Sequence, residues 1–346
     1  MKYCIRFMLV SCFFILFYGC KGSGEKYYKE FQELYIRNDS TFTIEAYELL
    51  KKSAELGYVE AQYSLGNYFH SEEDNESLAK MWWRKAAEQE HSESQYLMYE
   101  YYYDEDNDSL AVYWLKRAAE NNLSKAQYDL SDYYDDEDND SLSVYWLKRA
   151  VDNENLDAIE DLADYYNDQD SIGKMLDLYD KGIALGSARM YYLKARFYIQ
   201  MDKRKEAVTC LKEAVQKNDP SAIQLLGDCY YYGYGIEQDY EKAFNLYSQV
   251  EYRKESALRL AKCYYRGYGT SINTTKAFGL FKKLAGNQAY WQLSKDDTAE
   301  AQYYLGECFY YGKGVSMNSD STYYWWKKAA DGGYGYAKER LNQIFE

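Results

Sequence analysis

One motif recurs along most of the chain. A residue that is usually small is followed four positions later by a large apolar one at Ala61/Leu65, Ser94/Met98, Ala126/Leu130, Ala158/Leu162, Arg189/Leu193, Ala222/Leu226, Ser256/Leu260 and Ala301/Leu305, in steps of 33, 32, 32, 31, 33, 34 and 45 residues. A second marker runs through Leu50, Trp83, Trp114, Trp146, Tyr179, Leu211, Tyr247, Phe281 and Trp326. A unit of this length cannot cover its own apolar face and must bury it on its neighbours, so two markers keeping one step predict an array of stacked repeats.

Both halves of the unit read as helices. Segments such as Ser77–Glu88 and Ala126–Tyr134 place apolar residues at i, i+3, i+4 and i+7 without a proline. Asn107-Asp108-Ser109 and its counterparts are helix-capping material before the second helix. The single proline, Pro220, follows Asn218-Asp219 and suits a helix start. The predicted class is all-α, with helix pairs filling residues 27–346 and a capping helix over 337–345. The 45-residue step holds an insertion near Asn287–Asp297.

Three units carry a fuller pattern: Leu226-Gly227-x-Cys229-Tyr230-Tyr231-Tyr232-Gly233-Tyr234-Gly235-Ile236, then Lys242-Ala243 and Leu246-Tyr247; Leu260-Ala261 to Gly267-Tyr268-Gly269; and Leu305-Gly306-x-Cys308-Phe309-Tyr310-Tyr311-Gly312-Lys313-Gly314-Val315, then Trp326-Lys327-Lys328-Ala329-Ala330. This order resembles the Sel1-like repeat, a relative of the tetratricopeptide repeat, over about residues 25–346. The resemblance implies a right-handed α-solenoid of about eight to nine helix pairs whose first helices line a concave surface. It also implies a scaffold that assembles other proteins at membranes. Units between about 61 and 205 depart from the pattern, with acidic, Asn-rich turns in place of Gly-x-Gly.

Residues 1–19 read as an export signal: Lys2 and Arg6, then an apolar run from Phe7 to Phe17 too short to cross a bilayer, which takes ~20 apolar residues. Gly19-Cys20 resembles the processing site of a bacterial lipoprotein, which implies acylation at Cys20, a tether over 20–26 and a place in the cell envelope, periplasmic or at the cell surface. Cys210, Cys229, Cys263 and Cys308 remain in the exported part. Export makes disulfides possible, but three of these Cys share one repeat position, which favours buried structural thiols, and no CxxC or Cys/His spacing suggests a metal site.

Composition narrows the function. A net charge of −15 opposes nucleic-acid binding. Residues 100–170 hold 21 Asp/Glu against 5 Lys/Arg, a net of −16, so the acidity is local. Asp104–Asp108 and Asp136–Asp140 each offer D-x-D-x-D, but Ser109 and Ser141 stand where a calcium loop needs Gly, and Leu115 and Leu147 where it needs Glu. They read as solvated turns. With two His and no nucleophile elbow, phosphate loop or dinucleotide fingerprint, no catalytic residue, cofactor or metal is expected.

What remains is a surface. On the first helix, positions +2, +6 and +9 from the small residue lie opposite +0, +4 and +8. They place Tyr63, Tyr96, Glu100, Tyr103, Tyr128, Asp132, Asp164, Tyr191, Tyr198, Asp228, Tyr231, Tyr265, Tyr303, Glu307 and Tyr310 along one candidate groove. The chain holds 44 Tyr, and tyrosine gives contact area at low entropic cost. Such a groove suits a protein or peptide partner carrying Lys/Arg; a glycan or peptidoglycan strand is the alternative guest, and an envelope enzyme the third reading.

Overall fold

Side-chain caps cut the chain into helices. Asn75, Asn107 and Asn139 each accept, through Oδ1, the backbone N–H three residues on, at 3.1, 3.2 and 3.2 Å. Asp219, Asp239, Asn273 and Asn318 do the same later in the chain. Each cap satisfies one of the N–H groups that a helix start leaves open. In the computed structural model, which describes residues 22–38, 41–286 and 294–345, nineteen helices follow one another with no strand among the described residues. The signal segment 1–19, Cys20 and residues 287–293 of the insertion lie outside the described residues.

Two compact units share the chain, Met1–Met175 and Leu176–Glu346. The first holds α1 (22–37), α2 (Ile44–Glu55), α3 (Val59–Ser71), α4 (Glu76–Ala87), α5 (Ser92–Asp104), α6 (Asp108–Glu120), α7 (Ser124–Asp136), α8 (Asp140–Asp152) and α9 (Leu156–Asp168). The division falls inside α10 (Ile172–Ala184). The second unit continues with α11 (Ala188–Gln200), α12 (Arg204–Gln216), α13 (Pro220–Tyr232), α14 (Tyr240–Gln249), α15 (Lys254–Arg266), α16 (Thr274–Ala285), α17 (Lys295–Tyr311), α18 (Ser319–Asp331) and α19 (Gly335–Phe345). Within each unit helices pack in chain order, and each buried cluster draws on consecutive helices, as when Phe31, Leu50, Leu65 and Trp82 meet from α1 to α4.

Size complementarity fixes each pair. Five residues after the small position stands Gly66, Gly227 or Gly306, and a ring of the second helix fills the space its missing side chain leaves. A Cβ there would come within 2.3 Å of Trp83, 2.7 Å of Tyr247 and 2.4 Å of Trp326. Where the same position holds Tyr99 or Ser131, the second helix offers Leu115 or Leu147 eight residues after its cap. This corrects the second marker. Trp114 and Trp146 match Trp82, not Trp83, and each joins a cluster with the preceding repeat: Trp114 with Ala79 and Trp83, Trp146 with Tyr96 and Leu115.

The register also shifts once in the first helices. Ser187 caps α11 through the N–H of Met190, so the fifth small position is Met190, 32 residues from both Ala158 and Ala222, and exposed Arg189 precedes it.

A buried glutamine ties neighbouring helices together. Gln62, Gln95 and Gln127 donate through Nε2 to the carbonyls of Ala54, Ala87 and Ala119, at 3.1, 3.0 and 3.0 Å, at the C-terminal end of the preceding helix. Their Oε1 atoms accept from Gln89, Asn121 and Asn153 after the following helix. The acidic turns solve the backbone problem that glycine solves later. Asp74, Asp106 and Asp138 take φ of 49, 54 and 55°, while Gly233, Gly267 and Gly312 take 73, 76 and 68°. Aspartate tolerates the left-handed region better than most side chains. Ser294 caps α17, which at 17 residues is longer than the usual 13, so the end of the insertion is its extra turn.

Candidate functional site

In the first unit, a tyrosine two residues after the small position links first helices of adjacent repeats. The Tyr96 hydroxyl donates to Asp129 Oδ2 on α7, and Tyr128 donates to Asp161 Oδ2 on α9 at 2.7 Å. Tyr28 meets Ser64 at 3.0 Å in the same way. In each case the partner lies three residues after the small residue of the next repeat. Tyr63 instead packs against His91 with the rings tilted by 35° and centroids 4.7 Å apart. These rings are rungs between repeats first and surface second.

Around the rungs the surface opens into two depressions, between first helices and the adjoining second helices α4 and α6. One, of about 500 Å³, is lined by His70, Trp83, Tyr96, Tyr99, Glu100 and Tyr103. The other, of about 890 Å³, is lined by Tyr99, Tyr103, Asp108, Asp129, Asp132 and Asp136 among others. Tyr99 and Tyr103 border both, so the two form one groove. Tyr103 is 62% exposed and stands against Tyr99 at 5.9 Å.

Negative charge in this groove is poorly compensated. Asp132 is held up to about 6 by partial burial and by Asp161, Asp129, Asp135 and Asp136 around it. Asp129 is also raised, chiefly by burial, although the Tyr96 hydroxyl and Lys125 pull the other way. Burial and the adjacent Asp129 push the Tyr99 phenol up to about 12, so it stays a neutral donor. Lys125 sits 3.2 Å from Glu100 and 4.2 Å from the centre of the Tyr96 ring, and Lys80 and Lys116 lie 4.0 and 5.7 Å from the rings of Tyr101 and Tyr133 at the borders of the two depressions.

Of the fifteen positions expected along the groove, Tyr96, Glu100, Tyr103 and Asp132 line these depressions. Tyr128 is half-buried one repeat on, and Asp164 is exposed on α9. In the second unit most of the same positions are drawn inward, and Tyr310 stays exposed. Asp228 accepts from Tyr247 at 2.7 Å and pairs with Arg259 at 3.3 Å. Tyr231 and Tyr265 are 7% and 4% exposed inside core clusters. Glu307 is buried beside Arg340, Tyr303 packs between Tyr334 and Trp326, and Tyr310 lies against Trp326. The register shift moves Tyr191 and Tyr198 one position off the expected face, where both pack on the core.

Tyr99, Asp129, Asp161 and Lys125 were not anticipated. Their signal was present at +5, +3 and −1 of the repeat, positions that the helical-face argument left aside. In the acidic turns, Asn107 and Asn139 spend their side-chain oxygens on helix caps, and no group of three or more His, Cys, Asp or Glu among the described residues is placed to hold a metal. Cys229, Cys263 and Cys308 are buried free thiols, pushed up to about 11, 12 and 12 mainly by desolvation.

Helix pairs stacked in chain order, with a side-chain groove on the first-helix face, define a helical-repeat protein of the tetratricopeptide type. The Sel1 repeat model matches residues 43–58, 59–91, 95–123, 124–155, 220–249, 254–287 and 299–334, and the chain belongs to the Sel1 repeat family. Residues 156–219 lie outside those matches, yet their helices keep the 32-residue step. The chain is similar in structure to the protective antigen c5321 of uropathogenic Escherichia coli, which displays an SLR fold (25% identity, 86% of this chain and 67% of that one, TM-score 0.76). It is similar in fold to a Sel1 repeat protein of Oxalobacter formigenes (19% identity, 86% and 90%, TM-score 0.60). No curated protein matches it. Sel1 repeat proteins generally mediate protein–protein interaction, and the fold is typically a non-catalytic scaffold.

Proposed function

We propose that this protein is a non-catalytic scaffold of the bacterial cell envelope, held to a membrane by acylated Cys20, that binds a protein partner in the first-helix groove of its first unit. The observation that carries the reading is the groove itself. Two adjoining depressions share Tyr99 and Tyr103 and are lined by more carboxylates than basic side chains, Glu100, Asp129 and Asp132 among them. Tyrosine walls supply contact area, and carboxylates select a partner segment rich in Lys or Arg and speed its encounter. The same charges favour a cationic peptide over a neutral glycan. Envelope placement draws on the export signal and Cys20.

A photo-crosslinking residue at position 103, compared with one at Tyr113 on α6, tests this in intact cells. The expected result is a defined protein captured at 103 and not at 113. Capture of nothing at 103, or turnover of an envelope polymer by the purified chain, overturns the reading.

A further inference from the structure

We infer that Tyr128, Asp132 and Asp157 form a subsite for one lysine or arginine side chain of the partner, on the face made by α7 and α9. The inference rests on the groove reading above: Asp132 lines the second depression, and Tyr128 and Asp157 continue from it toward the next repeat.

The preceding repeat provides the template. There the equivalent residues are Tyr96, Glu100 and Lys125, and the Lys125 ammonium lies 4.2 Å from the Tyr96 ring centre and 3.2 Å from Glu100 Oε1. A cation held between an aromatic face and a carboxylate is a modestly favourable arrangement even at an exposed site such as this one, where Lys125 and Glu100 are 60% and 44% exposed. Lys125 stands one residue before Ala126, the small residue of its repeat. Asp157 stands one residue before Ala158. The ring and the first carboxylate recur as Tyr128 and Asp132, but the position that supplied the cation now supplies another carboxylate.

A third repeat shows that these two positions meet. Lys262 and Glu300 occupy them with the signs exchanged, Nζ lying 2.8 Å from Oε1. The pair is thus an ion pair in two repeats and a like-charge pair here. Asp132 and Asp157 both act on the Tyr128 hydroxyl, together with Asp161, and all raise its proton affinity. Among the described residues no basic side chain forms an ion pair with Asp132. Like charges held near one another are relieved by a counter-charge, and Lys125 shows what form it takes on this scaffold.

The test uses the purified full chain and a fluorescein-labelled nonapeptide of alternating lysine and glycine, with the glutamate–glycine peptide as control, read by anisotropy. Asp157→Lys gives the site its own cation and is expected to weaken lysine-peptide binding by about tenfold, as when a close interfacial charge pair is lost. Asp152→Lys on α8 makes the same charge change elsewhere and should shift affinity by less than about threefold. Lys125→Asp, which vacates the template site, should tighten binding. Equal losses from Asp157→Lys and Asp152→Lys, no loss from Asp157→Lys, or weaker binding by Lys125→Asp would each overturn the subsite. Melting curves show that each variant is folded. Partner capture at position 103 with no effect of these variants sinks the subsite alone, whereas peptide binding without capture sinks the scaffold reading alone.

Discussion

A carboxylate that is partly desolvated and crowded by other carboxylates keeps its proton to a higher pH than the same group in water, and Asp132 does so up to about 6. The sign of the consequence follows from linkage. A folded-state value above the unfolded one means that the native chain binds the proton more tightly, so stability falls as pH rises from about 4 through about 6 and is level beyond. Asp132→Asn removes that penalty. It should raise the melting temperature at pH 7.5, and the difference from the parent should vanish near pH 4. The same variant should weaken a cationic peptide at pH 7.5 while leaving its binding at pH 5 nearly unchanged, because the parent is then mostly protonated at this position. A variant that is less stable than the parent at pH 7.5 would contradict this account. None of this was evident from the sequence. Position arithmetic put Asp132 on the face that borders the second depression, but it could not show that Asp161 would lean in from the next repeat. It also could not separate the tyrosines whose rings border the groove from Tyr231 and Tyr265, which occupy matching positions and are buried. Replacing those two by alanine would probe packing, not binding.

At the level of elements, the helix pairs were legible because capping chemistry and apolar spacing agree along most of the chain. The misreadings were one-residue slips where a neighbouring residue mimicked the marker. Trp114 and Trp146 attracted the alignment away from Leu115 and Leu147, and Leu193 pulled the fifth first helix onto Arg189 in place of Met190. Caps and volumes, not side-chain type alone, set the register. A test follows from Gly306, where an added methyl would meet Trp326 Cδ1 at 2.4 Å. Gly306→Ala should destabilise the chain by about 1–3 kcal/mol through overpacking, read as a lower denaturation midpoint. Gly306→Ala with Trp326→Leu, which recreates the Ser131/Leu147 kind of match, should recover part of the loss. Asn139→Ala, which deletes the cap of α8, should cost about 1 kcal/mol.

For the whole molecule, charge is partitioned. The segment 100–170 carries −16 of a total of −15, so the remainder sums to +1. A partner approaching from solution meets that segment's field over roughly 8–10 Å at physiological salt. Anchoring is a separate matter from recognition. Cys20→Ala should move the chain from the membrane fraction to the soluble fraction and abolish incorporation of labelled palmitate, without changing peptide affinity in vitro. Persistent membrane association of that variant would count against the lipid anchor. One contrast bears on how such a chain changes over time. Gly66 and Trp83 complement each other inside a single hairpin, whereas Tyr96 and Asp129 join two. Recombination that inserts or deletes a whole hairpin would carry the first kind of match along intact and break the second at the seam. The glycine–ring match can therefore survive a change in repeat number more readily than the hydroxyl–carboxylate rungs, and newly joined neighbours would be expected to differ most along that line of rungs.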